Sequence, residues 1–266
     1  MKKVQGSSIL PYSFFTMEKV FSSAIIRLHE CPFYYGTDLK AKENFLRCFD
    51  NIAKDEEIKT ILLFGPPEHK GCERFFDECQ KVEPYARGNF IFEQLQNAVS
   101  QYVMKIAGLN KIVIHIDQRK SIPLFMNIGL ACDYRIVCEE TTFHTRNLEM
   151  GFLPKGGEIF FLHRIIGFKK MMEIFLLGKV ISAKEALDMG LVNEIVSFKE
   201  LKNAAFQAAS EMAKKPSYVL STIKRLANSS NEGLYANLEY EKEIFTLLVT
   251  SKKFQDRITA CSWNGI

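Results

Sequence analysis

Lys155 stands immediately before Gly156-Gly157, and the residues after that pair have helical spacing. A cation at the positive end of a helix dipole should have its pKa lowered. A neutral lysine there could take up a proton, and a charged one could hold an anion. The commoner situation for such a residue is a solvated loop lysine. His115 and Asp117 are two apart in an apolar run of strand character, so they share one face. That pair could be a base and its orienting group, although a histidine satisfied within the core is more usual. Cys72 near His69 suggests a thiol nucleophile, but two loop residues without a third group do not make an activated pair. Glu149 and Glu158 lie on either side of Lys155. Either could move a proton, although glutamates on a helix surface are commoner. His144 and His163 read as structural.

The elements that would position these groups follow from periodicity. Ser23 to Leu28 reads as a strand, and Lys42 to Ala53 as a helix with Phe45, Cys48, Phe49 and Ile52 on one face. Thr60 to Phe64 is a continuous apolar run, as a buried parallel strand would be. Residues 66 to 88 are polar and irregular, and Phe90 to Ala107 is helical. Lys111 to Ile116 and Tyr134 to Cys138 are strands, with an unreadable stretch from Asp117 to Asn127 between them. A helix runs from Gly156-Gly157 to about Ile166. Ser182 to Glu185 and Ser197 to Glu200 both have capping-box spacing. From Phe198 the pattern is helical only, broken at Lys215-Pro216, with a last helix over Glu232 to Ile258. Strands alternating with helices, followed by helices alone, predict an α/β sheet domain with a C-terminal helical segment.

A chain of 266 residues with 47% apolar and 25% charged residues can bury one large core. Its formal charge of +4 includes no dense basic run, which argues against nucleic-acid binding. The seven cysteines have no CxxC or zinc spacing, so they predict free thiols in a reducing, cytoplasmic setting and no metal site. The first residues start basic, but their apolar run is short and broken by Pro11, unlike a signal peptide. No run of 18 apolar residues predicts a membrane span.

Several motifs occur in order: Leu130-Ala-Cys-Asp133-Tyr-Arg-Ile-Val, Gly151-Phe-Leu-Pro154, Gly156-Gly157, Ile166-Gly167, Leu177-Gly178, Ile181-Ser-Ala-Lys-Glu-Ala186 and Gly190-Leu-Val192. In this order and spacing the chain resembles the crotonase (enoyl-CoA hydratase/isomerase) family over about residues 20 to 260. The resemblance implies a crotonase-like spiral of ββα units over residues 1–200. A helical trimerisation segment over 201–266 would assemble a homotrimer or hexamer. It also implies binding of an acyl thioester, on coenzyme A or a carrier. Two backbone N–H groups would hold the thioester oxygen and stabilise the charge that develops on it. No other cofactor is implied.

Carried over residue by residue, the resemblance puts the first oxyanion donor at Cys72, after Gly71, and the second at Leu124. Pro123, Leu124 and Phe125 stand where the family has three glycines. Leu124 and Phe125 should therefore narrow the acyl pocket, and Leu124 strongly disfavours a positive φ. The two hydratase glutamates correspond to Asn127 and Asn147. The carboxylate that isomerases and dehalogenases carry after the proline corresponds to Lys155. Asparagine can orient a water but cannot take its proton, so hydration should be weak or absent. Decarboxylation, thioester hydrolysis or condensation would need the oxyanion hole more than the glutamates. The alternatives are a catalytically inactive homologue that binds acyl-CoA or a partner, and an interaction protein whose pocket is filled by Leu124 and Phe125.

Overall fold

The computed structural model describes residues 10–67, 88–119, 121–123, 128–145, 148–149, 151–229 and 232–260. The strands are β1 (Leu10–Pro11), β2 (Phe15–Val20), β3 (Ser23–Leu28), β4 (Thr60–Phe64), β5 (Ile112–Asp117), β6 (Ser121–Pro123), β7 (Tyr134–Cys138), β8 (Thr142–His144), β9 (Ile181–Ser182) and β10 (Glu194–Val196). The α-helices are α1 (Leu39–Lys54), α2 (Gly88–Ala107), α3 (Glu158–Leu177), α4 (Ala183–Asp188), α5 (Leu201–Ala213), α6 (Ser217–Ala227), α7 (Glu232–Val249) and α8 (Lys252–Ala260).

The larger sheet has the order β1-β2-β3-β4-β5-β7-β10. It opens with antiparallel pairs and is parallel from β3 onward. A second sheet has the order β6-β8-β9. From β5 the chain alternates between the two: β6 joins the small sheet, β7 the large, β8 and β9 the small, and β10 the large. That alternation is the spiral of ββα units expected from the sequence.

Each central strand feeds a core on both faces, which is why Thr60 to Phe64 reads as unbroken hydrophobicity. Ile61 and Leu63 join Ala24, Ile26 and Val113 against α1 and α2, whereas Leu62 and Phe64 join Ile25, Ile114 and Ile116 against α5. The predicted face of α1 is buried at Phe45, Cys48, Phe49 and Ile52. A further core packs the small sheet against α3 and α4. Among the described cysteines, Cys48, Cys132 and Cys138 are free thiols. No helix among the described residues is long and apolar enough to cross a membrane.

Two capping boxes were expected, and one forms. Ser182 Oγ accepts from the Glu185 N–H at 3.2 Å, and Glu185 returns a bond to the Ser182 N–H at 2.9 Å. At the other, the Glu200 N–H bonds the Ser197 carbonyl at 2.9 Å and residues 198–200 make a turn. Helix α5 therefore starts only at Leu201, without a side-chain cap. The single last helix expected over Glu232 to Ile258 is two helices. Thr250 Oγ1 turns back onto the carbonyls of Thr246 and Leu247, and Ser251 Oγ accepts from the Phe254 N–H at 3.3 Å. Those hydroxyls end α7 and cap α8.

Two motif residues prove to be fasteners. Asp133 Oδ2 accepts from the Val113 N–H at 2.8 Å and from Lys224 Nζ at 2.7 Å. Lys224 Nζ also donates to the carbonyls of Ile106 (3.2 Å) and Lys111 (3.1 Å), so α6 is fastened to α2 and β5 through three acceptors for its three N–H donors. Arg135 Nη1 donates to the carbonyls of Gly129 and Leu130 in the turn before β7.

Candidate active site

The loop over residues 151–157 requires glycine at three places. Gly151, Gly156 and Gly157 have φ of 85°, 71° and 74°. A Cβ on Gly157 would also lie 2.9 Å from Leu234 Cδ1 on α7, and one on Gly151 would lie 3.2 Å from Arg257 Cγ on α8. The C-terminal helices thus sit directly on this loop. Arg257 Nε donates to the Glu149 carbonyl at 2.8 Å, and Phe152 meets Phe254 edge to face with ring centroids 5.4 Å apart.

Lys155 is buried, at 5% exposure, rather than solvated. Its Nζ donates to the Glu241 carbonyl of α7 at 3.1 Å and lies 3.7 Å from the centroid of the Phe245 ring. A desolvated cation over an aromatic face gains up to about 2 kcal/mol. The Glu241 carboxylate accepts from the Gly157 N–H, at 3.1 and 3.2 Å to its two oxygens, and so occupies the N-terminus of α3. Glu158, the first residue of α3, is 1% exposed, and neither carboxyl oxygen has a hydrogen bond. The expectation of a surface glutamate there is overturned.

Burial lowers the Lys155 ammonium to about 7 against the opposing pull of Glu241. Burial likewise raises Glu241 to about 7, opposed by the Gly157 N–H and by Lys155. Glu158 is raised well above the usual carboxylate range, first by burial and then by Glu241. Lys155 and Glu241 are thus the two groups at this loop that change charge near neutral pH.

Among the described candidates, His115 and Asp117 are engaged elsewhere. His115 and Asp117 do share the face of β5 that carries Val113, yet they do not work as a base and its orienter. Both Asp117 oxygens bind Arg119, through its Nε at 2.8 Å and through its Nη2. His115 is lowered to about 4 by burial. Pro123 ends β6, where Ile122 is extended and buried in the core of the small sheet. His144 is buried on β8 and His163 is exposed on α3. Gly71, Cys72, Leu124, Phe125, Asn127 and Asn147 lie outside the described residues. Among those that are described, no group of three His, Cys, Asp or Glu side chains could hold a metal. A cavity of about 400 Å³ between α2 and α6 is lined by Met104, Leu109, Asn110, Lys224 and Asn228, and does not include Lys155 or Glu241.

Glu241 was missed by the sequence reading, though a signal was there. Leu234, Leu238, Glu241, Phe245 and Val249 follow one stripe of α7, and the four apolar members are buried in the main core. A carboxylate on an apolar stripe needs a partner.

A model of the enoyl-CoA hydratase/isomerase family matches residues 25–262. Solved structures share the fold. An enoyl-CoA hydratase from Bacillus halodurans is 21% identical with a TM-score of 0.79, covering 94% of this chain and 100% of its own. One from Mycobacterium avium subsp. paratuberculosis is 18% identical with a TM-score of 0.74, over 94% and 100%. A methylmalonyl-CoA decarboxylase in complex with 2-nitronate-propionyl-CoA is 18% identical with a TM-score of 0.73, over 94% and 95%. A comparison with curated proteins finds no match.

Proposed function

The chain belongs to the enoyl-CoA hydratase/isomerase family, and from that premise we propose that it acts on an acyl thioester, on coenzyme A or a carrier, through chemistry other than hydration. The observation that carries this reading is Lys155. It takes the position where the resemblance puts a carboxylate, and it is turned into a closed cluster with Glu241 rather than left in solvent. Asn127 and Asn147, matched to the hydratase glutamates, cannot accept a proton from water. Decarboxylation fits this set because it needs a donor pair for the enolate oxygen and no base in its first step. The methylmalonyl-CoA decarboxylase among the similar structures is in keeping with that preference. The donor pair in this reading is the backbone N–H of Cys72 and of Leu124, with Gly71, Pro123 and Phe125 beside the acyl group.

The second reading, an inactive homologue that binds acyl-CoA or a partner, draws on Pro123, Leu124 and Phe125 standing where the family has glycines. In either reading residues 201–266 form a helical segment that assembles a homotrimer or hexamer. In support, Tyr218, Ile223 and Leu226 of α6 expose large apolar side chains.

Calorimetric titration with butyryl-CoA, together with assays of crotonyl-CoA hydration and malonyl-CoA decarboxylation, tests the proposal. Binding is expected, with hydration weak or absent. Hydration at an ordinary hydratase rate would overturn the non-hydratase assignment, and absence of binding would overturn the thioester assignment.

A further inference from the structure

The contact between α7 and the loop over residues 151–157 encloses a carboxyl that nothing balances. Glu158 is 1% exposed, and neither of its oxygens has a hydrogen bond among the described residues. An ionised carboxylate in that condition is strongly disfavoured, and such a group holds its proton instead. The charge that acts on it is that of Glu241, which has the same sign and works in the same direction.

Helix α7 is what closes this place. Lys155 Nζ donates to the Glu241 carbonyl, and the Glu241 carboxylate accepts from the Gly157 N–H. Leu234 lies against Gly157, and a Cβ on Gly233 would come within 3.3 Å of Phe160 Cε2. These contacts fall on both sides of Glu158 in the chain. We propose that they form an acid-tightened clasp: α7 seats on the loop while Glu158 and Glu241 hold protons, and lifts more readily as they lose them.

Lifting α7 returns both carboxyls to water, where they ionise in the ordinary range, whereas the seated form keeps them protonated to higher pH. Burial raises Glu158 well above that range and Glu241 to about 7. Both shifts are upward in the seated form, so the carboxyls' contribution is full below about 4.5 and is lost as pH rises toward 7. Lys155, lowered to about 7, is charged in either form below that pH and adds no slope there; above it, Lys155 opposes the carboxyls. The charged groups that act here are Glu241 on Glu158 and Lys155 on Glu241. Among the described residues α2 and α8 add none, and the Arg257 guanidinium of α8 is engaged by the Glu149 carbonyl.

The test is native-state hydrogen exchange of the full chain at pH 5, 6 and 7, read by mass spectrometry as protection factors, which correct for the intrinsic pH dependence of exchange. Because His115 shifts the whole fold the other way, α7 is followed by itself rather than through a Tm. Protection of α7 should lie below that of β4, since α7 opens without global unfolding. It should fall from pH 5 to 7 by about tenfold per unit or more. A Glu158→Met, Glu241→Gln double variant removes both titrating groups and keeps an oxygen for the Gly157 N–H. Its profile should be flat, with protection at pH 7 near the wild-type value at pH 5. Lys155→Met leaves both carboxyls in place and should keep the slope. Protection that is constant or rises from pH 5 to 7, equal protection of α7 and β4, a double variant with the wild-type slope, or a flat Lys155→Met profile would each overturn the proposal. If the double variant fails to fold, the wild-type profile decides by itself.

Discussion

Replacing Lys224 with methionine removes the ammonium of α6 and keeps the reach of its stem. In the folded protein that ammonium is 4% exposed and satisfies Asp133 and two main-chain carbonyls. Removing one partner of a buried pair costs about 3–5 kcal/mol, because the other charge stays buried without compensation. Here Asp133 keeps the Val113 N–H and a 23% exposed side chain, so water shares in its solvation and the lower end applies, about 3 kcal/mol. A domain stable by about 5–15 kcal/mol would lose a large fraction of its margin, and its Tm should fall by roughly 6–12 °C. Urea unfolding followed by circular dichroism measures this, with an unchanged m-value as the sign that only stability moved. Adding Asp133→Asn to Lys224→Met should recover part of the loss, since the stranded charge is gone. A loss below about 1 kcal/mol for Lys224→Met, or losses that simply add in the double variant, would refute the reasoning.

Two further perturbations bear on the site and its support. Gly157→Ala forces a side chain to a φ of 74° and against Leu234, so about 1–2 kcal/mol of stability should go; an urea midpoint equal to wild type would show that the loop relaxes instead. His115 stays neutral in the fold down to about pH 4, whereas the unfolded chain takes up its proton near 6.5. Stability should therefore fall as pH drops from 6.5 to 4, by about 3 kcal/mol at most. His115→Asn should flatten that part of the stability–pH curve relative to wild type.

Much of this architecture could be read from the sequence, and the failures have physical causes. The central strands were legible because both faces are buried, which leaves an unmistakable apolar run at Thr60 to Phe64. The Ser182 box was legible because its signal is local. Ser197 to Glu200 carries the same local signal, yet there the chain spends the Glu200 N–H on a main-chain turn, which spacing does not reveal. The break at Thr250-Ser251 was hidden because two hydroxyls, rather than proline or glycine, make it. At the site, the importance of Lys155 was visible but its burial was not. What covers Lys155 is α7, more than 70 residues downstream, and no local pattern links it to Glu241. A carboxylate among Leu234, Leu238 and Phe245 was the available clue.

The dependence of the main core on α7 and α8 also fixes an order of events during synthesis. Leu234, Leu238, Phe245, Val249 and Phe254 complete a cluster that includes Phe14 and Phe15, more than 200 residues upstream. Until α7 and α8 emerge, the aromatic wall built from β2, α1 and α2 lacks the cover they give it. A nascent or prematurely terminated chain would therefore present Phe-rich surface to chaperones and to other nascent chains. The loop at Lys155 would also remain unclosed until α7 had emerged.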